Sequence, residues 1–173
     1  MTQPTPATVC VVVPVWGAER TLDRCVQSIL TQRLTGTLAC VLVDDGSPDR
    51  CGELCDGYAA RDPRVTVIHK EDGGVSSARN VGLAACDAEY VVFLDSDDAL
   101  RPGALQAALD AQAADPGAFV LWRYTDDPAD PAPAGPGPDL TLPGSSRRFS
   151  VSHTKYPLQG PDAMAPAASS WSS

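Results

Sequence analysis

The densest chemistry in the chain is Val91-Val92-Phe93-Leu94-Asp95-Ser96-Asp97-Asp98, an apolar run that ends in three carboxylates. Val91 to Leu94 have the continuous apolar character of a strand buried on both faces. If strand geometry persists to the end of the run, alternation sets Asp95 and Asp97 on the same side. Two like charges about 4 Å apart repel by roughly 4 kcal/mol at an effective dielectric near 20, so the pair calls for a cation. Hard oxygen ligands suit Mg2+ or Mn2+, with Asp97 and Asp95 as its ligands. Taken alone, the same residues also fit a polar turn in which Asp98 caps the next helix.

Other reactive residue types sit at matching places. Asp44-Asp45-Gly46-Ser47 closes the apolar run Leu38 to Val43, and Pro14-Val15-Trp16 closes Val9 to Val13. Gly73-Gly74 follows Val65 to Ile68 and opens a helix that carries Arg79. Glycines there let the backbone approach a ligand, and a helix N-terminus offers free N–H groups to phosphate. Arg79, within the first turn or so, adds the full positive charge that an anion needs. The constellation suits a nucleoside diphosphate whose phosphates bridge a metal on Asp97, with Asp45 accepting a hydrogen bond from a pyrimidine N–H or ribose hydroxyl. The metal would stabilise charge developing on a departing diphosphate. No Gly-x-Gly-x-x-Gly follows the first strand and no P-loop is present, which argues against a dinucleotide fold or a P-loop enzyme.

Positioning these residues requires alternating strands and helices. Val9 to Val13 is a β-branched run closed by Pro14. Leu22, Cys25, Val26, Ile29 and Leu30 mark one face of a helix, and Cys51, Leu54, Cys55, Tyr58 and Ala59 repeat its offsets. Ser47-Pro48 reads as an N-cap and first helical residue, and Arg61-Asp62-Pro63 as a stop. Ser76 or Ser77 opens the third helix, Glu89 to Leu94 is the fourth strand, and Arg101-Pro102 begins the fourth helix. Phe119 to Trp122 reads as a fifth strand. The order predicts an α/β, Rossmann-like, mainly parallel sheet with helices on both faces.

A domain over residues 7–124 is therefore expected, followed by a disordered C-terminal tail over 125–173. Nine of the sixteen prolines lie after residue 124, and no period of 2 or 3.6 is traceable there. At most a short strand near Arg148-Phe149-Ser150-Val151 is expected. A formal charge of −9 disfavours a nucleic-acid partner. No run suits a membrane span or signal peptide, so a cytoplasmic location is expected, with peripheral association at the inner face of the plasma membrane allowed. The six cysteines lack Cys-x-x-Cys spacing and read as small buried thiols in a reducing compartment, not a zinc site.

Taken in order, Val11-Val12-Val13-Pro14-Val15-Trp16, Val43-Asp44-Asp45-Gly46-Ser47, Gly73-Gly74-Val75-Ser76-Ser77-Ala78-Arg79-Asn80-Val81-Gly82 and Phe93-Leu94-Asp95-Ser96-Asp97-Asp98 resemble the family 2 glycosyltransferases. The resemblance implies a GT-A fold and inverting transfer from a nucleotide-activated sugar, UDP-sugar favoured, to a hydroxyl acceptor, usually with Mg2+ or Mn2+. It further implies a glycan or lipid-linked acceptor and a role in cell-envelope or extracellular polysaccharide synthesis. By the same resemblance Pro14, Val15 and Glu19 line the nucleoside and Asp45 is the base-binding acid. Gly74 and Arg79 then meet the diphosphate, Asp95 and Ser96 the ribose or sugar, and Asp97 the metal.

Two departures bear on that expectation. Gly17 stands where the family usually has Asn, and the pattern fades near residue 124. The family's acceptor site and catalytic base, typically an Asp, lie beyond that point. Asp126 and Asp127 are weak candidates for the base, with Asp130, Asp139 and Asp162 the other later acids. The break between Tyr124 and Pro128 raises the expectation of a donor-binding half whose remainder is truncated or frame-altered, and with it the alternative of a catalytically incomplete nucleotide-sugar-binding fragment.

Overall fold

The computed structural model describes residues 7–114 and 148–151. Its elements are β1 (Ala7–Val15), α1 (Leu22–Leu30), β2 (Leu38–Asp44), α2 (Cys51–Arg61), β3 (Val65–His69), α3 (Val75–Ala85), β4 (Ala88–Phe93), α4 (Ala104–Ala114) and β5 (Arg148–Val151). The strands form one sheet in the order β3-β2-β1-β4-β5. Every neighbouring pair is parallel. The expected mainly parallel α/β architecture is therefore present.

Strand alternation divides the core in two. Val9, Val11, Val13 and Val15 of β1 join Cys40 and Leu42 of β2 on one face, packed by Leu22, Cys25, Val26 and Ile29 of α1, by Cys51, Cys55 and Tyr58 of α2 and by Leu105 of α4. Cys10 and Val12, with Val41, Val43, Val91 and Phe93, face the other way against Ala78 of α3. The chain moves from β1 outward to β3 and then returns to the far side of β1 as β4. Right-handed crossovers put α1 and α2 on one face during the outward run and α3 on the opposite face at the reversal, while Leu105 of α4 packs back on the α1 side. That reversal opens a crevice at the carboxyl ends of β1 and β4, where open α/β sheets bind ligands.

Several boundaries differ from the sequence expectation. β1 runs through Pro14 to Val15, with Pro14 opposite Val43. The Val12 carbonyl accepts from Leu94 N–H on the β4 side, whereas the Val15 carbonyl accepts from Asp45 N–H on the β2 side. Pro14 falls in the set that faces β4, past the end of that strand, so its missing N–H removes no ladder bond. Ser47-Pro48 does not open α2, which begins at Cys51. Ser47 instead ties two strand ends together, donating its hydroxyl to the Val15 carbonyl and its N–H to Asp44 Oδ1. α3 starts at Val75, preceded by Gly74 at φ +81°, a left-handed conformation that disfavours any side chain. α4 begins at Ala104, beyond Arg101-Pro102.

The cysteines need one correction. Cys25, Cys40, Cys51 and Cys55 are buried free thiols as expected, but Cys10 and Cys86 are joined as a disulfide. Cys10 is on the α3 face of β1 and Cys86 is the residue that ends α3, so helix–sheet packing brings the two sulfurs together. Sequence spacing does not reveal that meeting, because the residues are 76 apart. Within the expected tail, Arg148–Val151 forms the parallel edge strand β5 beside β4. The proposed strand Phe119 to Trp122 and the rest of the tail lie outside the described residues.

Candidate functional site

At the reversal point lies a cleft of about 320 Å³ lined by Pro14, Val15, Trp16, Asp45, Asp72, Gly74, Val75, Asp95 and Ser96. It draws on the ends of β1, β2 and β4 and on the connection from β3 into α3. Of the residues expected from sequence, Pro14, Val15, Asp45, Gly74, Asp95 and Ser96 meet there.

Asp45 is the most enclosed charge of the group, only 3% exposed. Its Oδ1 receives the Lys70 ammonium and, at 3.0 Å, the Gly73 N–H. Burial by itself would raise this carboxyl, but the Lys70 and Gly73 hydrogen bonds outweigh it and hold Asp45 below the usual carboxylate range. Lys70 also donates to the Glu71 carbonyl, so one ammonium fixes both the acid and the loop leading to Gly73-Gly74. Lys70 was not singled out from sequence. The β2–β3 register pairs Asp44 with His69, which places the next residues, Asp45 and Lys70, side by side.

A second cluster supports this one from behind. Asp44 Oδ2 is 2.9 Å from His69 Nδ1, and His69 Nε2 is 3.0 Å from Asp56 Oδ1 on α2. The hydrogen bonds that His69 donates to Asp44 and Asp56 raise it above its ordinary value. Asp44 is lowered because bonds from Ser47 and His69 exceed the opposing effect of burial.

β4 ends at Phe93, and Asp98 N–H donates to the Asp95 carbonyl at 3.0 Å. Asp95-Ser96-Asp97-Asp98 is therefore a turn, and the strand alternation expected to pair Asp95 with Asp97 stops short of them. Asp95 faces the cleft and holds Arg79 Nη2 at 2.6 Å. Arg79 is in the second turn of α3, not the first, and its charge is matched by Asp95. Its Nε–H is buried without an acceptor among the described residues. Asp97 is in the same turn, but does not line the cleft. Glu19 is also outside the lining: its side chain is 4.0 Å from Arg50 and its N–H donates to Asp49 Oδ2. Asp126 and Asp127 lie outside the described residues.

Trp16, Asp72 and Val75 complete the wall. Trp16 and Val75 are 57% and 50% exposed, the large hydrophobic side chains most open to water among the described residues. Both stand at the cleft, where a flat ring and an apolar edge can receive a planar ligand group. Asp72 Oδ1 accepts from Gly74 N–H at 3.1 Å and so shapes the approach to α3.

For a divalent ion the donor chemistry fits. The carboxylates of Asp95 and Asp97 are hard oxygen donors within one turn. Among the described residues no group of three or more His, Cys, Asp or Glu side chains forms a complete cage. Mg2+ is commonly held by one or two carboxylates and completed by phosphate oxygens and water.

Comparison with known proteins bears on this geometry. Residues 10–155 match the model of the glycosyl transferase family 2. The chain is 44% identical over 90 residues to an uncharacterized glycosyltransferase, EpsJ, of Bacillus subtilis, covering 52% of this chain and 26% of that protein. It is 38% identical over 99 residues to the glycosyltransferase GlyG of Streptococcus pneumoniae, covering 57% and 33%. The chain thus spans only about a quarter to a third of those relatives' length. The crystal structure of Staphylococcus aureus TarS in complex with UDP superposes with a TM-score of 0.62 at 24% identity, over 73% of this chain and 38% of that one. Its complex with UDP-GlcNAc gives the same score at 23% identity, over 73% and 37%.

Proposed function

Because the chain belongs to the glycosyl transferase family 2, we propose that its cleft binds a nucleoside-diphosphate sugar, UDP-sugar foremost, and serves inverting transfer of the sugar to a hydroxyl acceptor. The observation that carries this reading is the convergence of Trp16, Asp45, Gly74 and Asp95 on one cleft at the carboxyl edge of a parallel sheet. The TarS structures holding UDP and UDP-GlcNAc support it as structural neighbours with that kind of ligand.

In this reading the base stacks on Trp16 between Pro14 and Val75, and Asp45 accepts from the pyrimidine N–H. Lys70 keeps that carboxylate ionised, so it acts as an acceptor only. Ribose and sugar hydroxyls meet Asp95 and Ser96. The α3 N-terminus at Gly74 and Val75 offers backbone N–H groups to the diphosphate. Arg79 holds Asp95 in place and supplies a further positive charge nearby. Mg2+ or Mn2+, held by Asp97 with Asp95, would neutralise charge on the departing diphosphate. Asp126 and Asp127 remain proposals for the base that deprotonates the acceptor. Cytoplasmic action at the inner face of the plasma membrane, in making a cell-envelope polysaccharide from a glycan or lipid-linked acceptor, completes the reading. Among the described residues no helix is long and apolar enough to cross a membrane.

Among the described residues, every one assigned above serves the donor, which favours a second reading of nucleotide-sugar binding without transfer. A panel of nucleotide sugars incubated with the protein and Mn2+ separates the two. Release of free nucleoside diphosphate supports transfer chemistry, and tight binding without release supports the second reading. Asp97→Ala should abolish metal-dependent nucleotide binding while the fold is retained. Unchanged Mn2+-dependent UDP affinity in that variant would remove Asp97 from its role.

A further inference from the structure

The segment from Asp95 to Leu105 carries the acidic turn, yet it belongs to no strand and reaches a helix only at Ala104. Irregular backbone must find hydrogen-bond partners outside a ladder, and here several come from α1 and the residue just beyond it. Arg24 Nη2 donates to the Asp97 carbonyl at 2.6 Å, and Cys25 Sγ–H to the Asp95 carbonyl at 3.5 Å. Ser28 Oγ accepts from Leu100 N–H at 2.9 Å and donates to the Cys25 carbonyl. Gln32, just past the end of α1 and buried, donates from Nε2 to the Arg101 carbonyl at 2.8 Å. Its Oε1 accepts from Leu105 N–H at 3.3 Å, in the first turn of α4.

Arg24 and Ser28 are spaced i, i+4 on α1, about 6 Å apart along its axis at 1.5 Å rise per residue, and Gln32, four residues on and just past the helix end, extends the stripe. Their partners Asp97, Leu100 and Arg101 follow in the same order, so the segment runs alongside α1 and is gripped at intervals. The Arg24 guanidinium also brings a full positive charge to a turn that holds Asp95, Asp97 and Asp98, and so lowers their mutual repulsion.

We propose that Arg24, Ser28 and Gln32 are positioning residues that hold the Asp95–Asp97 turn in the geometry needed to bind a divalent cation with a nucleoside diphosphate. This rests on the function proposed above. None of the three lines the cleft; they act through the backbone of the turn. Loosening the grip should weaken the metal-dependent part of binding and leave the base-binding part, at Trp16 and Asp45, in place.

The test uses the full chain with Arg24→Met, Arg24→Lys and Ser28→Ala. Amide hydrogen exchange without ligand reads the segment directly, and UDP titration with Mn2+ and with EDTA reads its consequence. Arg24 is exposed, so its replacement leaves the core intact. In Arg24→Met and Ser28→Ala, exchange over residues 95–105 should quicken and Mn2+-dependent UDP affinity should fall about tenfold, as expected for one lost hydrogen bond to an ordered backbone group. Affinity in EDTA should stay within about twofold, a split that general destabilisation would not produce. Arg24→Lys, which keeps a charged donor, should restore Mn2+-dependent affinity. Wild-type exchange and Mn2+-dependent affinity in Arg24→Met and Ser28→Ala would overturn the proposal. Failure of the wild-type chain to bind UDP under any condition would instead refute the functional reading, and the exchange measurement would still decide whether the stripe holds the turn.

Discussion

Replacing Lys70 with methionine isolates the charge that keeps Asp45 ionised. Asp45 is 3% exposed, and its Oδ1 has the Lys70 ammonium and the Gly73 N–H as partners. Deleting one member of a buried pair typically costs 3–5 kcal/mol, and the surviving Gly73 bond and partial exposure of Lys70 reduce this to about 2–3 kcal/mol. Lys70→Met should therefore lower the stability measured by urea unfolding by that amount at neutral pH. The pH dependence supplies a sharper check. In the native chain Asp45 is held below its ordinary value, so its stabilisation is present at neutral pH and is lost as pH falls through that depressed value. Without Lys70 the lowering of the carboxyl is weakened while its burial remains, so the variant suffers most at neutral pH and approaches the native chain in acid. Adding Asp45→Asn, which removes the unpaired charge but keeps an acceptor for Gly73, should recover part of the loss. A loss below about 1 kcal/mol, the range of an exposed pair, or one independent of pH, would refute the description of Asp45 as a buried, lysine-locked carboxylate.

Other perturbations test neighbouring parts of the structure. His69 is raised by Asp44 and Asp56, so its stabilisation is full below its ordinary value near 6.5 and is lost as pH rises through the raised one. The melting temperature should fall from about pH 6 to about pH 9, and His69→Gln should flatten that slope. Reducing Cys10–Cys86 opens a loop with a sequence separation of 76, worth up to about 4–5 kcal/mol on the chain-entropy model. Dithiothreitol should lower the melting temperature of the native chain and leave a Cys10→Ala/Cys86→Ala variant unmoved. A Cβ at Gly82 would come 2.3 Å from Val12 Cγ1 and 3.1 Å from Val43 Cγ2. Gly82→Ala should therefore cost about 1–3 kcal/mol in chemical denaturation, through α3 pushed off the sheet.

The strands and helices were legible because the buried runs Val9 to Val13, Leu38 to Val43 and Val91 to Leu94 leave no other reading, and their edge carries Asp45, Gly74 and Asp95 into one cleft. What escaped depends on register and packing between distant segments. Lys70 meets Asp45 only because β2 and β3 pair Asp44 with His69. Cys86 meets Cys10 only because α3 folds back over β1. The sequence points to Arg79 as a positive charge for the site, and only the fold shows that this charge sits on Asp95, a partner that single-residue reasoning counts separately. Ser47-Pro48 has the composition of a helix start, but tying β1 to β2 claims the serine first.

The proposed nucleoside-diphosphate site is the cleft at the ends of β1, β2 and β4 and the start of α3. UDP titrated with Mg2+ into isotope-labelled protein, followed by backbone amide shifts, reports on it residue by residue. Saturable shifts should concentrate at Val15, Trp16, Asp45, Gly73 to Val75 and Asp95 to Asp97, with the amino ends of the strands silent. No saturable shift at millimolar UDP, or shifts centred on the opposite edge of the sheet, would contradict the account.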